Sequence, residues 1–200
     1  IAGPGISSAL SWAPLFQDCR FINSSITDLG SENHGVIDIV NAEPVFNNCE
    51  FRNLSIDHNN SNTGTIKGPI RLAGSQVSSG GVYDSTAFRP QFNNCTIAGN
   101  YTHFSSNYSN NYTFEGGAVY IGWGALPTFK NCRIDSNEID TEGGGGNGNA
   151  WHATGGAVYI DNFLSYSSSP VSFINTSFKG NKIFGENVYG GAIAASHPQL

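Results

Sequence analysis

The sequence predicts an all-β protein, and three observations point to a parallel β-helix. The 200 residues include 25 Gly, and no segment keeps a 3.6-residue apolar period for ten residues, which disfavours helices. One segment recurs five times, and a second, glycine-rich segment alternates with it. Both contain short runs of Val, Ile, Phe and Tyr, which are typical of strands. Repeats of variable length around a constant core are characteristic of solenoids.

The first recurring segment reads Pro-x-Phe-x-(Asn or Asp)-Cys-x-(Phe or Ile). It begins at Pro14, Pro44, Pro90 and Pro127, and a looser copy with Thr in place of Cys begins at Pro170. Successive Cys residues are 30, 46 and 37 residues apart, so the insertions are expected in loops outside a fixed strand framework. We predict a single β-helix of about five coils with loop insertions over residues 1–200. Its repeat units are near 14–43, 44–89, 90–126, 127–169 and 170–197.

The second segment, Gly-Gly-Ala-Val-Tyr-Ile, occurs at 116–121 and 155–160, with partial copies beginning at Gly35, Gly80 and Gly190. Because side chains alternate along a strand, Val119 and Ile121 are expected on the inner face and Tyr120 on the outer face. The paired glycines suit a sharp corner that needs a positive φ or a close backbone approach. Each unit is therefore expected to contribute two short strands.

Identical residues in successive coils are expected to stack about 4.8 Å apart, as in parallel strands. The stacking predicts an aromatic ladder, a thiol ladder and an amide ladder along the axis. The aromatic ladder contains Phe16, Phe46, Phe92, Phe129 and Phe173. The amide ladder contains Asp18, Asn48, Asn94, Asn131 and Asn175, with further asparagines at Asn100, Asn137 and Asn181.

The Gly-Gly-Ala-(Val or Ile) segments and the Phe178–Asn181 segment resemble the repeat of the polymorphic outer-membrane protein family. That repeat is defined by Gly-Gly-Ala-(Ile, Leu or Val) and Phe-x-x-Asn, and 97–100 and 134–137 are variants of the second motif. The resemblance covers roughly residues 14–200 and implies a right-handed β-helix on a cell surface. The Cys-containing segment looks more like β-helix repeats in secreted or surface proteins of protists and algae. The resemblance implies a fold and no catalytic residue.

Four cysteines, Cys19, Cys49, Cys95 and Cys132, occupy one equivalent position in four successive units. One interpretation is a buried ladder of free thiols, with Thr176 as its fifth member. The alternative is a disulfide between adjacent coils, although parallel Cβ vectors strain that geometry. The wide spacing without a Cys-x-x-Cys pair disfavours a zinc site.

Asn-x-(Ser or Thr) occurs eight times, about twice as often as composition alone predicts. In a secreted eukaryotic protein these sites are candidate N-glycan acceptors. The candidates are Asn23, Asn53, Asn59, Asn100, Asn107, Asn111 and Asn175. The eighth, Asn94, is the weakest because Cys95 beside it is expected to be buried.

Composition excludes several functions. Charged residues make up 12% of the chain and its net charge is −6, so a phosphate-binding surface for nucleic acid is not expected. No run of 18 apolar residues is present, so this segment is not expected to insert into a membrane. No stacked pair of acids is found at the predicted outward positions, and His103 and His152 are expected in loops. We therefore predict neither catalytic nor metal-ligating residues, and no cofactor.

The leading hypothesis is a non-enzymatic, extracellular or cell-surface protein that forms part of a shaft or fibre. The absence of Met and the partial sixth segment at Pro198–Leu200 predict a longer array, and open coil ends predict self-association. A fibre predicts interfaces larger than about 1,000 Å². A glycan- or receptor-binding adhesin instead predicts an exposed aromatic groove near Trp123 or Trp151. A β-helical polysaccharide lyase or hydrolase predicts that acids, or acids with a basic residue, converge on one face.

Overall fold

The computed structural model describes residues 13–27, 34–58, 64–74, 78–79, 82–83, 87–104, 112–141, 152–161, 171–185 and 187–196. The described residues contain 26 strands and no helix, and the strands follow one another around five coils. The first coil contains β1 (Leu15–Gln17), β2 (Arg20–Ile22), β3 (Ser25–Thr27) and β4 (Ile37–Val40). The second contains β5 (Val45–Asn47), β6 (Glu50–Arg52), β7 (Ser55–His58), β8 (Gly64–Lys67) and β9 (Ile70–Ala73). A short antiparallel hairpin, β10 (Ser78–Ser79) and β11 (Val82–Tyr83), follows it.

The remaining three coils repeat the five-strand pattern. The third contains β12 (Gln91–Asn93), β13 (Thr96–Ala98), β14 (Tyr101–Phe104), β15 (Tyr112–Glu115) and β16 (Val119–Ile121). The fourth contains β17 (Thr128–Lys130), β18 (Arg133–Asp135), β19 (Glu138–Asp140), β20 (His152–Thr154) and β21 (Val158–Asp161). The fifth contains β22 (Ser172–Ile174), β23 (Ser177–Lys179), β24 (Lys182–Phe184), β25 (Asn187–Tyr189) and β26 (Ile193–Ser196).

Equivalent strands of successive coils pair in parallel and form five sheets along the axis. Sheet 1 contains β1, β5, β12, β17 and β22; sheet 2 contains β2, β6, β13, β18 and β23; sheet 3 contains β3, β7, β14, β19 and β24; sheet 4 contains β8, β15, β20 and β25; sheet 5 contains β4, β9, β16, β21 and β26. The prediction of an all-β parallel β-helix of about five coils is confirmed. The expectation of two strands per unit is wrong, because coils two to five each contain five short strands separated by corners. The predicted copy of the second segment beginning at Gly80 is also wrong, because Val82–Tyr83 pairs with Ser78–Ser79 in the hairpin, and Ile70–Ala73 is the sheet 5 strand of the second coil.

The Cys-containing segment forms one of these corners, between sheets 1 and 2. Its Asn or Asp residue has a left-handed φ of 48° to 56° in every coil, a conformation that Asn and Asp tolerate better than most residues. A second corner, between sheets 2 and 3, is formed by Asn23, Asn53, Gly99, Ser136 and Gly180, with φ between 52° and 64°. These repeated turns set the register of each coil on the previous one.

The paired glycines form a third corner, between sheets 4 and 5, and the two positions require glycine for different reasons. The first of the pair has a positive φ, 81° at Gly116 and 68° at Gly155, and a Cβ atom there would collide with a carbonyl oxygen three residues on. The second lies against the next coil: a Cβ atom at Gly117 would collide with the carbonyl oxygen of Gly156. A side chain at either position would separate strands or coils.

Two apolar clusters fill the interior. The phenylalanines of sheet 1 stack along the axis, with ring centroids 4.7 to 5.1 Å apart. The rings of Phe46, Phe92 and Phe129 are almost completely buried, as expected for inward-facing residues in the middle coils. Val119 and Ile121 are also fully buried within the larger cluster, which confirms their predicted inner face.

Candidate functional site

The four cysteines form a column of free thiols just inside the first corner. Each buried thiol donates to a carbonyl oxygen of the previous coil: Cys49 to Phe16 at 3.5 Å, Cys95 to Phe46 at 3.4 Å, and Cys132 to Phe92 at 3.2 Å. The structure therefore corresponds to the free-thiol interpretation, and the bridged alternative is not present in it.

Thr176 continues the thiol column in the fifth coil. Its hydroxyl oxygen is 3.0 Å from the carbonyl oxygen of Phe129 and 3.2 Å from that of Ile174, the same two positions that the cysteines contact. Burial raises the pKa of Cys49, and the neighbouring thiol of Cys132 together with burial raises the pKa of Cys95. The hydrogen bond with Cys95 lowers the pKa of Cys132 in turn. Thiols held in the neutral form are poor nucleophiles, so Cys49 and Cys95 have the properties of packing residues rather than reactive ones.

The candidate N-glycan acceptors differ in their surroundings. Asn23, Asn53 and Asn175 are exposed corner residues. The side-chain amide of Asn53 donates to the Oδ1 atom of Asn23 at 3.0 Å, and that of Asn175 donates to Asn131 at 3.3 Å. Asn59, Asn107 and Asn111 lie outside the described residues.

Asn100 departs from the prediction, because its side chain is completely buried. Its Nδ2 atom, where a glycan would be attached, donates to the carbonyl oxygen of Phe51 at 3.2 Å and to Oδ1 of Asn137 at 2.9 Å. A glycan at Asn100 is incompatible with this fold, and the prediction for that residue is corrected accordingly.

A polar cluster covers the outer side of the third corner, and we call it the Tyr120 cluster. It contains Lys67, Arg71, Glu115, Tyr120, Tyr159 and Asp161. The residues come from two rows that meet at the corner: Lys67 and Glu115 pair in sheet 4, whereas Arg71, Tyr120 and Tyr159 pair in sheet 5.

Tyr120 is the centre of this cluster. Its ring is stacked on Tyr159 with centroids 6.1 Å apart, and the Nζ atom of Lys67 lies 4.3 Å from its centroid. Its hydroxyl donates to Oδ2 of Asp161 at 3.0 Å. Tyr120 alternates with core residues, as predicted for an outward side chain, yet only 2% of it is exposed because the cluster covers it. The predicted outer face of the strand is therefore confirmed, although the other residues of the cluster bury the Tyr120 side chain.

Burial perturbs the ionisable groups of the cluster. Loss of solvent, and then the charge of Asp161, raises the pKa of Glu115 to about 7. Burial, and then repulsion from Arg71, lowers the pKa of Lys67. Burial and the Asp161 carboxylate also raise the pKa of Tyr120. Groups with perturbed pKa values, gathered on one face, are typical of binding and catalytic sites, although structural clusters also produce them.

The Tyr120 cluster was not predicted from the sequence. Outward residues were compared only within the Cys-containing strands and within sheet 5, whereas Glu115 lies in sheet 4 and Asp161 in sheet 5. A usable signal was present, because Lys67, Glu115, Thr154 and Tyr189 all directly precede the corner glycine of their coil. Comparing that one position across coils would have placed them in a single row.

The remaining candidate residues are two histidines and two tryptophans. His103 and His152 lie in strands β14 and β20, which corrects the prediction that they are in loops. The Nδ1 atom of His103 is 2.9 Å from the hydroxyl of Tyr101. Trp123 is half-buried, and Trp151 lies outside the described residues.

Among the described residues, no group of three or more His, Cys, Asp or Glu is placed to hold a metal ion. The described part of the chain has no helix that is long and apolar enough to span a membrane.

Comparison with known proteins finds no match: no protein-family model, curated protein or solved structure matches the chain. The resemblance to the polymorphic outer-membrane protein repeat therefore remains a prediction from the repeat motifs.

Proposed function

We propose that the chain is a segment of a non-enzymatic, extracellular structural protein, a stiff surface shaft or fibre that carries N-glycans and associates with itself. The observation that carries this proposal is the continuous in-register pairing of five coils in four of the five sheets. Every coil is bound to the next by backbone hydrogen bonds and by stacked side chains, so bending the axis would break many contacts together.

Self-association is supported by the apolar residues of the fifth coil. Val188 and Ile193 are 40% and 38% exposed, whereas their counterparts in the fourth coil, Ala153 and Val158, are buried. Apolar side chains exposed along a strand favour pairing with a further coil.

Sedimentation velocity of the 200-residue chain over a range of concentrations tests self-association. We expect oligomers whose size increases with concentration, and loss of these oligomers in Val188→Lys, which adds a charge to the exposed row. Gln91→Lys adds the same charge to an exposed position of the third coil and should behave as wild type. A wild-type chain that stays monomeric would overturn self-association.

Peptide mass spectrometry of the chain secreted from eukaryotic cells tests the glycoprotein proposal. We expect glycan mass at exposed acceptors such as Asn23 and none at Asn100. Bare peptides at every acceptor would overturn it.

A second candidate is a surface adhesin that binds a glycan or receptor, with a polysaccharide lyase or hydrolase as its enzymatic variant. The observation that favours it is the Tyr120 cluster, in which acids and basic residues converge on one outer face. Incubation with defined polysaccharides separates the two, because an enzyme shortens the chains and an adhesin only retains them.

A further inference from the structure

The Tyr120 cluster has acids whose oxygens are already hydrogen-bonded. Each carboxylate oxygen of Asp161 accepts a hydroxyl, Oδ2 from Tyr120 at 3.0 Å and Oδ1 from Ser196 at 2.9 Å. Glu115 is hydrogen-bonded to Tyr159. These carboxylates therefore have few free positions for a ligand.

The neighbouring Asp38 carboxylate is occupied in the same way. Its Oδ1 atom accepts from the backbone nitrogen of Gly35 at 3.1 Å and from Nη1 of Arg71 at 3.3 Å, and its Oδ2 atom is 2.9 Å from His34. The acceptors on this face are thus satisfied by the protein itself.

The basic residues, by contrast, have donors left over. Within the described part of the chain, the Nζ atom of Lys67 has no hydrogen-bond acceptor and lies 4.3 Å from the ring centroid of Tyr120. The Nε atom of Arg71 is buried and has no partner. Burial and then Arg71 lower the pKa of Lys67, whereas the carboxylates of Glu115, Asp161 and Asp38 raise it. The Arg71 side chain is 19% exposed, so a ligand acceptor would meet its exposed part together with the Lys67 ammonium, and not the enclosed Nε atom.

A row of side chains leads away from these donors. Lys67, Glu115, Thr154 and Tyr189 pair successively in sheet 4, about 4.8 Å apart per coil. Tyr189, at the far end of the row, is 59% exposed and offers a flat ring. An aromatic ring beside polar groups is suited to the apolar face of a sugar, and the length of the row suits several linked sugars rather than one.

We infer that Lys67 and Arg71 form a subsite for the carboxylate of an acidic oligosaccharide, whose other sugars follow the row towards Tyr189. The inference rests on the adhesin candidate above and adds the ligand class and the residues. Lys67 supplies a point charge and Arg71 a planar donor, a combination that suits a carboxylate.

Isothermal titration of the wild-type chain with oligogalacturonate, compared with the same oligosaccharide as its methyl ester, tests the ligand class. We expect the acid to bind at least about tenfold more tightly than the ester, because the ester has no charge for the two donors. Equal affinity for acid and ester would overturn the carboxylate subsite while leaving a glycan-binding adhesin possible. Binding of oligoglutamate without binding of oligogalacturonate would overturn the saccharide.

Lys67→Gln tests the residues, with Lys130→Gln as the matched control on the exposed surface of sheet 1. We expect Lys67→Gln to weaken acid binding about tenfold and to leave any ester binding unchanged, and Lys130→Gln to bind as wild type. Equal losses for acid and ester, or no loss at all, would overturn the role of Lys67. Thermal unfolding of both variants verifies that they fold, and the wild-type comparison of acid with ester requires no variant.

Discussion

Two columns of asparagine side chains run along the same β-helix, and a different physical requirement favours asparagine in each. The outer amide ladder, at the first corner, is exposed and consists of Asp18, Asn48, Asn94, Asn131 and Asn175. The inner asparagine ladder consists of Asn100, Asn137 and Asn181, and its first two members are completely buried. The outer residues are selected by backbone conformation, since each has a left-handed φ.

The inner asparagine ladder is selected by hydrogen bonding instead. Asn137 donates to the carbonyl oxygen of Ile97 at 3.1 Å and to Oδ1 of Asn181 at 3.0 Å, and it accepts from the backbone nitrogen of Asn100 at 3.1 Å. A buried polar side chain is stable only when its bonds are made, so each member depends on its neighbours. The same amino acid is therefore replaceable outside and hard to replace inside.

The largest effect is expected from Asn137→Ala, which should lower the free energy of unfolding by roughly 3 kcal/mol, because it leaves buried backbone groups of Ile97 and Asn100 unpaired. Urea unfolding measures this change. The matched substitution in the outer amide ladder, Asn131→Gly, keeps the left-handed turn accessible and should cost less than about 0.5 kcal/mol. Equal effects of the two substitutions would remove the distinction between the ladders.

The comparison extends to charged groups through Glu115, whose burial raises its pKa from 4.5 to about 7. The folded state then binds a proton more tightly than the unfolded state, so the free energy of unfolding should fall as pH rises from about 4.5 to 7. The loss above pH 7 should reach about 2 to 3 kcal/mol.

Glu115→Gln should remove this pH dependence and be more stable than wild type at pH 8, as measured by urea unfolding between pH 5 and 8. Glu50→Gln changes a carboxylate that is paired with Arg20 at the surface, and it should keep the wild-type pH profile. An unchanged profile in Glu115→Gln would mean that Glu115 is not the group that titrates.

A smaller effect separates backbone conformation from side-chain bonding in the outer region. Asn131→Ala should cost about 1 kcal/mol, because alanine is disfavoured at a φ of 56°. Asn93→Ala removes an amide bond to Asn47 of 3.0 Å within a strand, and should cost less than about 0.5 kcal/mol. Thermal or urea unfolding ranks the two, and the reverse order would show that side-chain bonding dominates the outer ladder.

The smallest effect is expected in the thiol column. Cys132→Thr should change the free energy of unfolding by less than about 1 kcal/mol, because the threonine hydroxyl can donate to Phe92 as Thr176 donates to Phe129. Cys132→Ala, which cannot donate, is the control and should cost more. Urea unfolding of both variants checks the order, and a threonine variant less stable than the alanine variant would contradict it.

Most of the fold could be predicted from the repeat, because its recurring residues mark the corners of the coils. The Cys-containing segment and its Thr176 variant mark one turn in every coil, and Gly-Gly marks a second turn in coils three to five. Their spacing is enough to place Phe46 below Phe92 and Val119 below Val158. Sheets 3 and 4 escaped prediction because their three- and four-residue strands, such as Glu138–Asp140, have no fixed residue pattern.

The candidate site was missed for a related reason. Glu115 and Asp161 approach each other only because the third corner turns two sheets towards one another, and that angle is not recorded in residue spacing. The burial of Asn100 also could not be read from its acceptor motif, because Asn-x-Thr describes a sequence and not the side of a corner on which the amide lies.

Because the coils stack in register, each coil contacts equivalent residues in the coil before it and in the coil after it. A duplicated or deleted coil would bring its own three corners and its own ladder members, and the residues above and below it would meet the same partners as before. Coil number can therefore change by duplication of one unit without redesign of the interior. The spacing from Phe16 to Phe46 is 30 residues and that from Phe46 to Phe92 is 46, so surface insertions can vary independently of length along the axis.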